Sequence, residues 1–188
     1  MNTLRLIAGA ASLLILGACA DGARGTIAVT DPALSVQNDG SAASANGASR
    51  VTVSGHYDAL VDFSTLTLTP KGNNCLLEVA GQLVFHGTID GTATGRTGAL
   101  VFAPCADVAS SPPGTFGDTF TSELVFEGTV NGVPATADLR YVGGVQPGGA
   151  ITARLIFSRG VSGSLETNNA VVAVGGDYAG KVVVTPQP

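Results

Sequence analysis

The sequence predicts an all-β domain, an antiparallel meander of about eight strands closed into a barrel, with a two-sheet β-sandwich as the alternative fold. Charged residues make up only 12% of the 188 residues, and 26 residues are glycine, a composition typical of a β-protein with many tight turns. From Arg50 onward, apolar and polar residues alternate between Gly, Asn and Asp turns, without long helical periodicity. A meander that closes on itself leaves no exposed edge strand, which favours the barrel.

The N-terminal segment, residues 1–18, has the features of a signal peptide. Arg5 supplies a positive charge, and Leu6 to Leu16 form an uncharged run that is too short to span a bilayer comfortably. The segment ends in Leu16-Gly17-Ala18-Cys19, which resembles the lipobox of bacterial lipoproteins. The resemblance implies cleavage before Cys19 and lipidation of that cysteine, and several acyl chains on one residue anchor a protein stably to a membrane. An ordinary secretory signal followed by an unrelated cysteine is the alternative.

Ala20, directly after the predicted lipidation site, bears on the target membrane. Alanine rather than aspartate at this position resembles lipoproteins that are sorted to the outer membrane, so we expect a lipid-anchored protein of the bacterial cell envelope, at the outer membrane. Residues 19–49 predict a flexible tether, because Asn38 to Ser49 is a low-complexity run of small and polar residues. Alternatively, Thr26 to Thr30 pairs as an edge strand and shortens the tether. A single β-domain follows at 50–188.

The charge balance excludes one class of partner. The formal net charge is −5, and the only lysines are Lys71 and Lys181, so the chain has no basic face for nucleic acid. Electrostatic attraction to anionic lipid is equally unsupported. We therefore expect contact with the membrane through the lipid anchor and no contact with nucleic acid.

An internal near-repeat locates two hairpins in the domain. Residues 83–91 (LVFHGTIDG) recur as residues 124–132 (LVFEGTVNG), with six of nine positions identical. Each copy ends in a dipeptide typical of a two-residue hairpin turn, Asp90-Gly91 or Asn131-Gly132. The other strands that alternation predicts are Val51–Tyr57, Val61–Thr69, Ile151–Val161, Val171–Val174 and Tyr178–Thr185.

In the second hairpin, a turn at Asn131-Gly132 fixes the register. It places Val130 opposite Val133 and Glu123 opposite Arg140. The face that this register turns toward the core is apolar throughout, and it consists of Phe120, Leu124, Phe126, Val130, Val133, Ala135, Ala137, Leu139 and Tyr141.

The first hairpin predicts a disulfide by the same reasoning. A turn at Asp90-Gly91 places Cys75 opposite Ala106, one residue from Cys105. If Cys19 is lipidated, Cys75 and Cys105 remain as one pair in an oxidising compartment, so we expect them to be bridged. Two free buried thiols are the alternative. The inward face of the first strand then comprises Leu77, Val79, Leu83, Phe85 and Ile89.

Few residues suggest catalysis or metal binding. His56 is followed closely by Asp58 and Asp62, and the functional interpretation is an acid/base or metal site in which one of these carboxylates orients the imidazole. We favour the alternative, a solvated strand end. His86 lies on the predicted outer face, where the second copy has Glu127, so we interpret it as a tolerant surface position. The sequence predicts no catalytic residue, no metal and no cofactor.

Three short motifs resemble the strand–turn motifs of a group of bacterial proteins of unknown function. They are FHGTIDGTATG at 85–95, FEGTVNG at 126–132 and GGDYAGKVVV at 175–184. The proteins that they resemble have an allene-oxide-cyclase-like barrel, and the similarity covers about residues 50–185. The resemblance implies a barrel able to hold a small apolar ligand, and no catalytic residue carries over from it.

Three functions are compatible with these features. The sequence favours a non-catalytic cell-envelope lipoprotein with a structural or interaction role, whose partner would be an envelope protein. The alternative is a barrel that binds or carries a small apolar ligand, and its signature would be a wide inner cavity. The third is an isomerase-like enzyme, by fold analogy alone. It requires His56, Asp58 and Asp62 to converge in a concave pocket.

Overall fold

The computed structural model describes residues 47–185, so the predictions for the signal peptide, for Cys19 and for most of the tether lie outside the described residues. The described part contains eight strands and one short helix. In chain order these are β1 (Ser49–Lys71), β2 (Asn74–Gly87), β3 (Ile89–Val101), α1 (Cys105–Ser110), β4 (Asp118–Val130), β5 (Val133–Val145), β6 (Ile151–Ser158), β7 (Val161–Val171) and β8 (Gly175–Val184).

The strands form one antiparallel sheet in which each strand pairs with its neighbours along the chain. β8 pairs with β1, so the sheet closes into a barrel. The predicted all-β meander of eight strands is therefore confirmed, and β1 begins one residue before the predicted boundary at 50. Within residues 47–185, no helix is long and apolar enough to cross a membrane.

The register predicted for the second hairpin is confirmed. Val130 pairs with Val133, and Glu123 pairs with Arg140. The turn residues Asn131 and Gly132 have φ values of 52° and 76°, as a type I′ turn requires. The predicted inward face is buried except at Val133, which lies beside the turn and is 49% exposed.

The turn predicted for the first hairpin is wrong. β2 ends at Gly87 and β3 begins at Ile89, so Asp90 and Gly91 lie within β3. The observed register places Gly91 opposite Phe85, whereas a turn at Asp90-Gly91 would place Arg96 there, on the core side. Burying an unpaired guanidinium costs far more than a favourable turn dipeptide contributes.

A tyrosine from β8 holds this short turn in place. The Tyr178 hydroxyl accepts a hydrogen bond from the Ile89 backbone N–H and donates one to the Ile89 carbonyl, both at 3.0 Å. Gly91 allows β4 to lie close to β3, because a Cβ at position 91 would overlap the Glu127 carbonyl oxygen. Tertiary contacts therefore decide this turn.

Four of the predicted strand ranges are also corrected. Val51–Tyr57 and Val61–Thr69 are parts of one strand, β1, which has an irregularity between Asp62 and Thr67. Ile151–Val161 spans a turn, because Arg159 and Gly160 adopt positive φ values of 60° and 83° between β6 and β7. Val171–Val174 is the end of β7 and the turn before β8, and Ala173 within it has a φ of 57°.

Aromatic side chains fill the end of the barrel at which β1 begins. Phe85 is 1% exposed and lies at their centre. Its ring centroid is between 5.6 and 6.2 Å from four other aromatic rings, those of Tyr57, Phe126, Phe157 and Tyr178. Offset and edge-to-face contacts at this separation add to the free energy of burial. This half of the barrel is packed as a core.

Candidate functional site

The opposite end of the barrel has an apolar cavity of about 290 Å³ that is partly open to solvent. Strand residues that alternation turns inward form its walls, among them Ala59 and Val61 of β1, Val79 and Leu83 of β2, Ala99 of β3, and Phe120 and Leu124 of β4. Residues further toward the other end, such as Phe85, do not line it. The barrel is thus filled at one end and hollow at the other.

One side of the cavity mouth is a bulge in β1. The register between β1 and β2 shifts by three residues between Asp62 and Thr67, so β1 has three more residues than β2 in this stretch. The Asp62 carboxylate accepts hydrogen bonds from the Ser64 N–H (3.1 Å) and the Ser64 hydroxyl (2.6 Å). The bulge presents Phe63, which is 52% exposed and lines the cavity. Asp62 therefore has a structural role at the mouth.

The other side of the mouth is the segment Pro104–Gly117, here called the cap loop, which includes α1. Its N-terminal end is fixed by a disulfide between Cys105 and Cys75 of β2, the predicted pair, although Cys75 lies opposite Val101 and not opposite Ala106. Its C-terminal half is held by a hydrogen bond from the Gly148 N–H to the Gly114 carbonyl (2.9 Å). The cap loop contributes its own apolar side chains to the cavity, including Val108, Pro112 and Phe116.

Hydroxyl pairs lie where the cavity meets the filled end. The Tyr57 and Tyr141 hydroxyls are 2.7 Å apart, and the Thr97 and Ser122 hydroxyls are also 2.7 Å apart. Burial raises the pKa of Tyr57 far above its usual value, and it also raises the pKa of Tyr141. Both phenols are consequently protonated at neutral pH, and these pairs satisfy one another as neutral hydrogen-bonding groups.

Asp118 is the acidic side chain of the cavity wall. Its Oδ1 atom is buried and has no hydrogen-bond partner among the described residues. Desolvation by burial raises the pKa of Asp118 from 3.8 to about 6, and a hydrogen bond from the Val145 backbone N–H opposes that rise. An acceptor of this kind in an apolar cavity is suited to a ligand that brings a donor.

The Asp118→Asn variant is expected to be more stable than the wild type at pH 7 by about 1–2 kcal/mol, because solvent screening of this partly exposed carboxyl reduces the full effect of its raised pKa. Because the pKa of Asp118 is higher in the folded state, the folded protein binds the proton more tightly. Its contribution to stability is therefore complete below about pH 4 and is lost as the pH rises toward about 6 and above. Urea unfolding of both proteins at pH 4, 5.5 and 7 measures this. A difference between them that stays constant with pH would contradict the prediction.

The structure separates the three residues considered for a polar site. Asp62 is held in the bulge by Ser64, whereas His56 and Asp58 lie on the outer face of β1. Neither His56 nor Asp58 lines the cavity. The convergence in a concave pocket that an isomerase-like site requires is not found within the described residues. His86 instead joins His56 and Asp58, since its Nε2 atom is 3.1 Å from Asp58 Oδ2.

Sequence reasoning missed Asp118, although a signal was present. In the confirmed register of β4, residues 118, 120, 122 and 124 point to the same side of the strand. Phe120 and Leu124 belong to the predicted core face, so Asp118 and Ser122 are polar residues in an inward series. Polar residues on an otherwise apolar inward face are a sign of a site.

Comparison with known proteins finds a solved structure of low similarity. No protein-family model matches the sequence. No curated protein matches it either. One similar solved structure is a protein of unknown function from the DUF3224 family of Shewanella oneidensis, with 13% sequence identity and a TM-score of 0.47. The match covers 74% of this chain and 99% of that one. The likeness to an allene-oxide-cyclase-like barrel stays a prediction.

Proposed function

We propose that this protein is a non-catalytic lipoprotein of the bacterial cell envelope whose barrel binds a small, largely apolar ligand. The observation that supports ligand binding is the division of the barrel into a filled end and a hollow end. The sequence favours a structural or interaction role instead, and that role stays a prediction. A wide inner cavity is the signature of the binding alternative, and the hollow end supports it with an apolar cavity of about 290 Å³.

The walls of the cavity support an apolar ligand. Protein interiors are close-packed, and a void lined by apolar side chains forfeits their dispersion contacts. The filled end shows that this chain packs aromatic rings closely where a core is needed. At the hollow end the cavity of about 290 Å³ is close to the smallest size typical of ligand pockets. A ligand of matching shape would restore the missing contacts.

Two features of the mouth support entry of such a ligand from an apolar phase. Leu60 and Phe63 line the cavity and are 50% and 52% exposed, so apolar surface leads from the outside inward. The cap loop faces them across the mouth and is fixed at both ends. Such an entrance suits a molecule that partitions out of water.

Asp118 supports a ligand with a hydrogen-bond donor. Its buried Oδ1 lacks a partner among the described residues, and an unpaired buried acceptor costs about 1–3 kcal/mol. A hydroxyl or amine on the ligand would satisfy it. The ligand class is therefore an apolar body that carries one O–H or N–H group.

The test is a fluorescence titration with 1-aminoanthracene, an apolar probe that carries one amine. The wild type is expected to bind one probe molecule saturably. Ala99→Phe, which places a ring in the cavity, is expected to weaken binding by at least ~10-fold, the equivalent of about 1.4 kcal/mol. Val125→Phe adds the same ring on the outer face, where Val125 is 50% exposed, and is expected to bind as the wild type does.

Two checks keep this test decisive. Melting curves establish that each variant is folded, and Leu66→Trp obstructs the cavity from the bulge if Ala99→Phe does not fold. Binding that is equally strong in the obstructed variants and the wild type would contradict the proposal, because the probe would then bind elsewhere.

Envelope location is proposed from the lipobox, and Cys19→Ser tests it. Because the acyl chains are expected to be the sole membrane anchor, the variant should move from the membrane fraction to the soluble fraction of lysed cells. Its melting temperature should match that of the wild type. A variant that sediments with outer membranes as fully as the wild type does would contradict lipid anchoring at Cys19.

A further inference from the structure

Two histidines and one aspartate lie side by side on the outer surface of the barrel, away from the cavity. His56 of β1 and His86 of β2 are direct partners in the antiparallel ladder, so their side chains leave the same face of the sheet. Their rings are stacked, with centroids 4.7 Å apart and an interplanar angle of 26°. Asp58 is two residues along β1 on the same face, and its Oδ2 is 3.1 Å from His86 Nε2.

The three residues already meet the spacing that a metal ion needs. One ligand atom from each residue can be chosen so that all three lie within 4.8 Å of one another. Ligand bonds to Zn²⁺ are about 2.0–2.1 Å long, which places tetrahedral ligand atoms roughly 3.3 Å apart. Rotation of the side chains can shorten the distances between the ligand atoms by the remaining ~1.5 Å. The side chains of His86 and Asp58 are 42% and 56% exposed, which leaves space for such a rotation.

The charges around the group favour a cation. Asp177 of β8 is the ladder partner of His56 on its other side, so a second carboxylate shares this face. The Asp177 carboxylate accepts a hydrogen bond from Asn169 (2.8 Å) and is held near the group. Asp90 follows His86 beyond the β2–β3 turn and is exposed. Arg154 and Arg159 form ion pairs with Glu166 and Asp138, and Lys181 lies on β8 four residues beyond Asp177.

We propose that His56, His86 and Asp58 form a surface site for one divalent transition-metal ion, with Zn²⁺ as the reference ion. Two imidazoles and a carboxylate match the three protein ligands of those Zn²⁺ sites in which a water molecule occupies the fourth position. Imidazole donors disfavour Mg²⁺ and Ca²⁺, which take oxygen ligands. The sequence predicts no metal, because residues 30 positions apart in the chain become neighbours only through the pairing of β1 with β2.

Isothermal titration of the full chain with ZnCl₂ tests the site. The chain carries Cys19→Ser, so that the one cysteine outside the disulfide does not bind the metal. One Zn²⁺ per chain is expected to bind, and Mg²⁺ at the same concentration is expected to give no heat of binding. His56→Gln and His86→Gln should each weaken Zn²⁺ binding by more than ~10-fold, because each removes a ligand.

The matched control is Glu127→Gln. Glu127 occupies the position of His86 in the second near-repeat and is similarly placed on the outer face, so its loss should leave Zn²⁺ affinity unchanged. His56, His86 and Glu127 lie on the outer face of the barrel, and circular dichroism establishes that each variant is folded. No binding of Zn²⁺ at micromolar concentration would overturn the proposal. Equal affinity in both histidine variants and the parent chain would overturn it as well.

Discussion

Replacing Phe85 with alanine is expected to lower the free energy of unfolding by about 3–5 kcal/mol. Phe85 is 1% exposed, and its ring is surrounded by the four other aromatic rings of the filled end. Truncation removes the transfer free energy of the ring and leaves a cavity that a closed sheet cannot collapse to fill. Urea unfolding followed by near-ultraviolet circular dichroism measures the loss.

The same variant separates packing from binding. Phe85 does not line the cavity, so the affinity of Phe85→Ala for 1-aminoanthracene should stay within ~3-fold of the wild-type value at a temperature where both proteins are folded. Phe102→Ala is the matched control for stability, since Phe102 is 55% exposed and should change it by less than about 0.5 kcal/mol. If Phe85→Ala lowered the free energy of unfolding as little as Phe102→Ala does, the aromatic rings of the filled end would not be closely packed.

Removing the disulfide with Cys75→Ala and Cys105→Ala together is expected to cost about 3–4 kcal/mol of stability. The bridge joins cysteines separated by 30 positions and restricts the unfolded chain accordingly. The paired substitution leaves neither partner of the bridge as a free thiol. A fall of roughly 10 °C in the melting temperature is the expected result for a domain of this size.

The disulfide also holds the cap loop over the cavity, so its loss should affect binding. We expect faster dissociation of 1-aminoanthracene from the double variant, because the N-terminal end of the cap loop is then free to lift. Cys19→Ser, the matched control, removes a cysteine outside the bridge and should leave both the melting temperature and the dissociation rate unchanged. An unchanged melting temperature in the double variant would contradict the stabilising role of the bridge.

The two hairpins show how far a local signal predicts a fold. At Asn131-Gly132 the turn dipeptide and the alternation of apolar residues require the same register, and the structure has it. At Asp90-Gly91 the two signals conflict, because that turn would direct Arg96 inward. The hydrophobic pattern and the contact between Tyr178 and Ile89 prevail. A turn dipeptide is therefore reliable only where the facing strand keeps its apolar face.

The pairing of the two histidines could not be predicted, since it depends on the bulge in β1. The turn between β1 and β2 pairs Lys71 with Asn74, and an unbroken ladder from there would place Ile89 opposite His56. The bulge shifts the register by three residues, so that His86 lies opposite His56 instead. A register shift by an odd number of residues also moves the side chains beyond it to the opposite face of the sheet. Neither the partner of His56 nor the face on which it lies therefore follows from the sequence around the turn.

The cavity could not be predicted from sequence patterns either, for a different reason. Alternation identifies inward residues correctly along β4, yet it does not give the volume between them. Phe120 lines a hollow and Phe126 fills a core, although both belong to the same inward series. The cap loop and the bulge, which are not part of this alternation, line the cavity at one end of the barrel.

The most direct test of ligand binding is native mass spectrometry of the protein purified from its own envelope in mild detergent. The folded chain is expected to carry one small apolar molecule with a hydroxyl or amine group, which is released on denaturation and is missing from Ala99→Phe. A native mass equal to the mass of the denatured chain with its acyl groups would contradict the proposal.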